Sequence, residues 1–278
     1  TNISRDHLDY HKSMKEYSRV KESFFLDNVF ETCLINIDSS LGKKIEKISS
    51  NFYSFSSKEK KADFFFDKNS VLHHDHKIYN LKNYSNSNFM QLNFAMAISL
   101  AIISRVKINL NKIKNISNPQ GRFEKIEVFK GKYCVIDYAH SPTALETILN
   151  EINSSHNGDV ISIFGCGGDR DKGKRAKMGE IAEKFSNELI ITNDNPRWED
   201  PLKIKTDIMK GIKKLAQTHF ILDRKEAIEK GLNLLKFAKK DSVLLIAGKG
   251  HEDFQEIEGK KYSFSDRKII HKLEDVNR

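Results

Sequence analysis

Short apolar runs alternate with longer amphipathic stretches through the second half of the chain. Runs rich in Val, Ile and Leu predict buried strands at 133–137, 160–164, 188–192, 219–222 and 242–247. The stretches between them have helical spacing and begin behind residues suited to helix N-caps, as in Ser141-Pro142 and Asp200-Pro201. This alternation predicts βαβ units and a mostly parallel sheet.

The first half has a different pattern. Helical spacing at 15–25 and 88–106 predicts two helices, and 32–36 predicts a short buried strand. Residues 50–90 are rich in Ser, Asn and Phe and partly alternate, which predicts short strands of an antiparallel sheet. Asn118-Pro119-Gln120-Gly121 is the best linker signal. We therefore predict an α/β protein with domains at 1–120 and 121–278.

Composition narrows the class of protein. The net charge is +9, but lysines and acids are interleaved along the chain, which argues against a nucleic-acid-binding face. A positive field would equally suit an anionic nucleotide substrate. Three cysteines without a CxxC pair argue against a disulfide framework or zinc site and fit a reducing, cytoplasmic compartment. The longest apolar stretch is shorter than the roughly 20 residues of a membrane span.

Polar motifs follow the predicted strands where each strand ends. They are Asp137, the glycine-rich and basic segment 165–175, Asp194-Asn195-Pro196-Arg197, and Gly248-Lys249-Gly250-His251-Glu252. Parallel strands end at one edge of a sheet, and ligands bind there. A glycine-rich turn before a helix favours an anion, the Arg197 fork suits a carboxylate, and Glu252 suits an ammonium. Each motif alone also fits an ordinary βα turn.

Histidines and acids form two further groups. Residues 6–11, Asp-His-Leu-Asp-Tyr-His, precede Lys21 and suit either a divalent metal or a helix cap. His73, His74 and His76 lie where no neighbouring element fixes their geometry, so we expect an ordinary loop there.

Taken together, these motifs resemble those of the Mur ligases. The resemblance begins at residues 1–11, continues through Gly121-Arg122-Phe123-Glu124 and the segment 165–175, and reaches Phe264-Ser265-Asp266-Arg267. Residues 40–85 carry little of it. It implies the C-terminal part of the family's central ATPase domain at 1–120, followed by a Rossmann-like amino-acid-binding domain at 121–278. The chain is then expected to be an N-terminally truncated piece of a longer protein.

The resemblance also implies a reaction. An ATP-dependent amide ligase would phosphorylate a substrate carboxylate to an acyl phosphate and then add meso-2,6-diaminopimelate to UDP-N-acetylmuramoyl-L-alanyl-D-glutamate, in peptidoglycan precursor synthesis. ATP and Mg²⁺ would be the cofactors and the protein would be a monomer, with closure at Pro119–Gly121 keeping water from the acyl phosphate.

By the same resemblance, individual positions acquire roles. Lys21 matches a carbamylated, metal-bridging lysine and His7 a metal-associated histidine. The positions that match nucleotide contacts are Asn93, Arg122 and Asp137. Those that match the diaminopimelate site are Arg170, Asp194, Asn195, Pro196, Arg197, Gly248 and Glu252.

Two departures from the family pattern affect these expectations. The 278 residues contain no G-x-x-G-K-[ST] phosphate loop, so we expect the chain alone to be inactive. Met90 stands where the family usually has an asparagine. Three alternatives stay open: a related ligase such as folylpolyglutamate synthase, a remnant that binds without catalysing, and, more remotely, a basic nucleic-acid-binding protein.

Overall fold

The computed structural model divides the chain into two compact units. Unit 1 comprises Thr1–Ser4 and Tyr10–Asn118, and unit 2 comprises Arg5–Asp9 and Pro119–Arg278. The structure describes residues 3–5, 8–27, 30, 33–49, 51–82, 84–85, 87–113 and 116–277. The roles predicted for domains 1–120 and 121–278 stay predictions. In the described residues, no helix has both the length and the apolar character to cross a membrane.

Unit 1 contains a five-stranded sheet with helices. Its helix α1 begins after Ser13, whose hydroxyl accepts a hydrogen bond from the Glu16 amide at 3.2 Å. The elements in chain order are α1 (Met14–Leu26), β1 (Leu34–Asn36), α2 (Ser40–Ile48), β2 (Tyr53–Ser56), β3 (Phe64–Phe66), β4 (Val71–His74), β5 (Lys77–Asn80), α3 (Asn88–Ile103) and α4 (Leu110–Ile113).

The sheet of unit 1 corrects one prediction. Its order is β1-β2-β3-β4-β5, and β2 pairs parallel with both β1 and β3, whereas β3, β4 and β5 are antiparallel. The prediction of an antiparallel sheet over 50–90 is therefore wrong for β2. Alternation of apolar residues indicates which face of a strand is buried but not the direction in which the strand pairs. Phe55 of β2 and Phe64 of β3 are fully buried and lie opposite each other in the parallel register. Both pack with Leu72 and Ala95 in one core.

Unit 2 is built on a six-stranded sheet of order β10-β9-β8-β11-β7-β6. Its elements are β6 (Glu124–Phe129), β7 (Lys132–Asp137), α5 (Pro142–Ser155), β8 (Val160–Phe164), α6 (Arg175–Phe185), β9 (Glu188–Ile191), α7 (Pro201–Met209), β10 (Thr218–Phe220), α8 (Arg224–Phe237), β11 (Val243–Ala247), β12 (Phe254–Ile257), β13 (Lys260–Ser263) and α9 (Asp266–Asn277).

The predicted α/β class and mostly parallel sheet are confirmed in unit 2. All neighbouring strand pairs are parallel except β6 with β7, and every residue of β8 and β11 is buried. Such doubly covered parallel strands are almost wholly apolar, which is why the sequence pattern locates them well. Edge strand β6 and the separate hairpin β12–β13 were not predicted. The strand order brings the carboxyl ends of β7, β11, β8 and β9 side by side.

Candidate functional site

The loops that follow β7, β8, β9 and β11 meet at the carboxyl edge of the unit 2 sheet. Gly248 has φ +114°, and a Cβ built on it would lie 2.6 Å from Asp194 Oδ2. A side chain there would collide with that carboxylate and strain the backbone, so glycine permits the close approach of the β9 and β11 loops. The predicted convergence of these motifs is thus present in the structure.

Lys249, Asn195 and Glu252 form the polar centre of this edge. The Lys249 side chain is fully buried, and its ammonium donates to Asn195 Oδ1 at 3.0 Å and to Glu252 Oε2 at 2.9 Å. The Asn195 amide nitrogen donates to the same Glu252 oxygen at 3.0 Å. Burial opposes ionisation of Glu252, but the hydrogen bond and charge of Lys249 outweigh it and lower the pKa of the Glu252 carboxyl.

Asp194 carries an acceptor without a protein partner. Its Oδ1 accepts the Asn195 backbone N–H at 2.8 Å, while Oδ2 is buried and has no hydrogen-bond partner among the described residues. A buried carboxylate oxygen left unpaired is costly, and a bound donor such as an ammonium would relieve that cost. The same edge therefore offers acceptors suited to a cation.

Arg197 supplies the opposite charge. Its φ is +52°, and its backbone is fixed by bonds from Arg197 N to Glu256 O at 3.1 Å and from Glu258 N to Arg197 O at 2.8 Å. The side chain donates through Nη1 to Gly168 O at 2.9 Å, and Nε lies 3.1 Å from Glu256 Oε2. The Arg197 side chain as a whole is 21% exposed.

Two fully buried arginines hold these loops in place. Arg175 Nη1 and Nη2 contact the Glu199 carboxylate at 2.8 and 2.7 Å, and Nη1 also reaches Asp207 at 3.1 Å. The hydrogen bond from Arg175 is the main cause that lowers the pKa of Glu199 to about 2. The Glu199 side chain is itself only 8% exposed, so little water screens this pair.

The second of these arginines is Arg224. It binds Asp266 through Nε at 2.8 Å and Nη2 at 2.9 Å, and both side chains are fully buried. It also donates to the carbonyl of Ala247, the last residue of β11, at 3.0 Å and to that of Asn193, two residues beyond the end of β9, at 3.3 Å. The pair therefore ties together the strands from which Lys249 and Asn195 extend.

Arg122 and Asp137, predicted to contact a nucleotide, lie close together in unit 2. Asp137 accepts the backbone N–H groups of Phe123 at 2.8 Å and Ala139 at 2.7 Å, and burial raises the pKa of its carboxyl. The Arg122 guanidinium lies 4.7 Å from the centre of the Tyr138 ring. Asn93, the third predicted nucleotide contact, is an exposed residue of α3 in unit 1.

The predicted hinge glycine is packed tightly. Gly121 has φ +66°, and a Cβ there would lie 2.2 Å from His251 N. The junction segment therefore packs against the backbone of the loop that carries Lys249 and Glu252, and both belong to unit 2.

The predicted metal site is not assembled from the described residues. Lys21 is exposed on α1 with its ammonium 5.8 Å from the centre of the Tyr17 ring, and it lines a cavity of about 460 Å³ within unit 1. His7 lies outside the described residues. Within those residues, no group of three or more His, Cys, Asp or Glu side chains could hold a metal ion.

Arg170 is engaged by an acid from the start of the chain. Its Nη1 lies 3.0 Å from Asp9 Oδ2, and Arg5 Nε lies 3.0 Å from Asp171 Oδ2, all within unit 2. Arg170 is half exposed, so its predicted contact with diaminopimelate stays open as a proposal. Pro196 is buried between Asn195 and Arg197 and contributes to the turn rather than a polar group.

Sequence reasoning missed two charged residues of this edge, Lys249 and Glu256. From the sequence, Lys249 is predicted only as part of a glycine-rich loop. The only signal in the sequence was the opposite charge of Glu252 three residues after Lys249, and the two residues do form an ion pair at 2.9 Å. Glu256 lies on the unpredicted hairpin, so nothing in the sequence placed it near Arg197.

Comparison with known proteins agrees with this architecture. Residues 1–99 match the Mur ligase middle domain, and residues 121–250 match the Mur ligase glutamate ligase domain. This chain belongs to the Mur ligase family. It is 37% identical over 280 residues to the UDP-N-acetylmuramoyl-L-alanyl-D-glutamate–2,6-diaminopimelate ligase of Aquifex aeolicus. That alignment covers 98% of this chain and 57% of the Aquifex protein.

Solved structures show the same relation. A UDP-N-acetylmuramoyl-L-alanyl-D-glutamate–2,6-diaminopimelate ligase matches with a TM-score of 0.57 and 30% identity, over 99% of this chain and 59% of that one. A bifunctional folylpolyglutamate synthase/dihydrofolate synthase with Mn, AMPPNP and L-glutamate bound has a TM-score of 0.65 at 14% identity, over 100% of this chain and 61% of that one. At that identity the likeness shows the fold alone. The chain spans less than two thirds of each of these proteins.

Proposed function

We propose that this chain supplies the amino-acid-binding part of a cytoplasmic ligase that joins meso-2,6-diaminopimelate to UDP-N-acetylmuramoyl-L-alanyl-D-glutamate. The observation that supports this proposal most strongly is that one sheet edge presents both the guanidinium of Arg197 and the carboxylate acceptors of Asp194 and Glu252. An amino acid brings an ammonium and a carboxylate, and this edge offers a partner for each.

Arg197 is the residue that selects among amino acids. Diaminopimelate carries a second carboxylate at its distal end, and L-lysine does not. L-Lysine brings no second carboxylate, so it forgoes the charge-assisted hydrogen bonds that diaminopimelate would make with the Arg197 guanidinium and is discriminated against. Arg170 and Gly248 complete the proposed amino-acid site, with Gly248 keeping the β11 loop close to Asp194.

The protein's own residues bind and orient the amino acid. Asp194 Oδ2 accepts a hydrogen bond from the substrate ammonium, and Glu252 stays ionised beside it because Lys249 and Asn195 hold its carboxylate. A fixed position for the amine next to the activated carboxylate lowers the entropy cost of amide formation. The buried strands beneath the site keep these side chains from moving apart.

The nucleotide-handling part of the proposal rests on family membership. ATP would supply the phosphoryl group that activates the substrate carboxylate, with Mg²⁺ neutralising its charge. Within the described residues, no group of three or more His, Cys, Asp or Glu side chains could hold a metal ion, and the 278 residues contain no G-x-x-G-K-[ST] phosphate loop. Lys21, His7, Asn93, Arg122 and Asp137 stay predictions for that part, as does a monomeric state.

The experiment measures ligation by the gene product that carries this chain. It is given ATP, Mg²⁺ and UDP-N-acetylmuramoyl-L-alanyl-D-glutamate with meso-diaminopimelate, L-lysine or L-glutamate, and the amide product is detected by mass spectrometry. Diaminopimelate is expected to react, and Arg197→Ala to lose most of that activity. Arg267→Ala, which removes a half-exposed arginine paired with Glu124 at 2.6 Å, is the matched control.

Each alternative outcome has a definite meaning. Equal use of lysine and diaminopimelate would overturn the proposed specificity, and preferential use of L-glutamate would favour a folylpolyglutamate-type ligase. An unchanged rate in Arg197→Ala would remove Arg197 from the site.

A further inference from the structure

The Arg197 guanidinium already forms an ion pair with a carboxylate of the protein itself. Glu256 extends from β12, and its Oε2 lies 3.1 Å from Arg197 Nε. On the other side of the guanidinium, Nη1 donates to Gly168 O at 2.9 Å. Glu256 thus neutralises an arginine that is only 21% exposed and that would otherwise carry an unpaired charge in a poorly hydrated place.

The position of Glu256 matters for any carboxylate that binds Arg197. A carboxylate makes two parallel hydrogen bonds either with Nε and one Nη or with the two Nη groups. Glu256 lies against Nε and so blocks the edge formed by Nε and one Nη, while Nη1 of the other edge already donates to Gly168 O. A second carboxylate arriving at the same guanidinium would also be repelled by the charge of Glu256.

Resting on the function proposed above, we propose that Glu256 is an internal competitor for the distal carboxylate of the amino-acid substrate. The Glu256 carboxylate pairs with the Arg197 guanidinium while the site is free of ligand. Its side chain turns away when the distal carboxylate of diaminopimelate binds Arg197. Glu256 is therefore a specificity-determining residue, because it sets how strongly an amino acid with a second carboxylate is favoured over one without it.

The backbone around Glu256 allows a side-chain movement without displacement of the hairpin. Glu256 N donates to Asn195 Oδ1 at 2.9 Å, and Glu256 O accepts from Arg197 N at 3.1 Å. The Glu256 side chain is 26% exposed, and it can rotate toward solvent while these bonds persist. Lys249, the counter-ion at the other end of the site, is fully buried and cannot leave in this way.

Calorimetric titration of the 278-residue chain with meso-diaminopimelate tests the proposal. Glu256→Gln keeps the size of the side chain and removes its charge, so diaminopimelate is expected to bind about fivefold more tightly, the upper range for a partly exposed ion pair. L-Lysine should not bind more tightly, since it brings no distal carboxylate to gain from the removal of the Glu256 charge. Glu256→Asp withdraws the carboxylate by one methylene and should give an intermediate affinity.

The control is Glu258→Gln, which removes the same charge from an exposed position two residues away on the same hairpin. It should leave both affinities unchanged, and unfolding midpoints equal to wild type verify that the variants fold. Weaker diaminopimelate binding in Glu256→Gln, or equal binding in Glu256→Gln and wild type, overturns the competitor proposal while the proposed function stands. No binding of diaminopimelate by any of these proteins overturns both.

Discussion

The site at the sheet edge of unit 2 differs from the unit 1 residues predicted to contact metal or nucleotide in how its polar side chains are held. In unit 2, Lys249, Asn195 and Glu252 bind one another, and Lys249 is fully buried. In unit 1, Lys21 and Asn93 are exposed on two helices. Strand ends of one parallel sheet bring motifs together by topology, whereas a residue on a helix surface depends on partners that its own helix does not supply.

The two units also differ in the charge they bury. Among the described residues, the buried lysines, arginines and carboxylates lie in unit 2, while the buried polar side chains of unit 1 are His11, Ser56, Ser87, Gln91 and Ser99. A buried charge destabilises a protein unless it is paired. The stability of unit 2 therefore depends on the same ion pairs that position the loops of its site. Substitutions at buried and exposed charges test this dependence, and the largest effect is expected at Arg224.

Breaking the fully buried ion pair should have the largest effect on stability. Arg224→Met leaves Asp266 as an uncompensated buried charge, which is expected to cost about 3–5 kcal/mol. Arg267→Ala, at a half-exposed pair with Glu124, should cost less than about 1 kcal/mol. Urea unfolding followed by circular dichroism measures both. Similar losses for the two variants would contradict the contrast between buried and exposed charge.

Acid should act on unit 2 through Glu199. Arg175 lowers the pKa of this carboxyl to about 2 from its usual 4.5. A depressed folded-state pKa gives stability that is present above pH 4.5 and is lost as pH falls toward 2, here about 3 kcal/mol. Urea midpoints measured between pH 2 and 6 should therefore drop less steeply in Glu199→Gln than in wild type.

The control for this pH series is Glu229→Gln, which removes an exposed carboxylate 3.7 Å from Lys225. It should retain the wild-type slope. A Glu199→Gln variant with the wild-type slope would show that other groups govern acid unfolding.

Removing the buried ammonium should have a smaller but more informative effect. Lys249→Met removes the ammonium from Glu252 Oε2 and Asn195 Oδ1, so the Glu252 carboxylate keeps the Asn195 amide but loses its counter-ion, at a cost of about 2 kcal/mol. It should weaken diaminopimelate binding because Glu252 is held less firmly. Lys21→Met, at the exposed lysine of unit 1, should change stability by less than about 0.5 kcal/mol. Unfolding and calorimetric titration of both variants compare the two units directly. Normal diaminopimelate affinity in Lys249→Met would remove this lysine from the site.

The sequence predicted unit 2 better than unit 1 for physical reasons. Strands buried on both faces, such as 160–164, are continuous apolar runs whose limits are clear, and their order along the chain implies a parallel sheet. In unit 1 the alternating run around Phe55 fits parallel and antiparallel pairing equally, so the direction of β2 could not be predicted. The partnership of Glu256 with Arg197 depends on a hairpin that pairs across the edge, and such a contact leaves no periodic signal.

Direct binding of amino acids to this chain tests the central claim, that the sheet edge of unit 2 selects a second carboxylate through Arg197. Calorimetry should show meso-diaminopimelate binding at one site, with L-lysine about 10- to 100-fold weaker, the range expected when a charge-assisted hydrogen-bonded partner is missing. In Arg197→Ala the two affinities should become similar. Equal affinities for the two amino acids in the wild-type chain, or an undiminished preference in Arg197→Ala, would contradict the account.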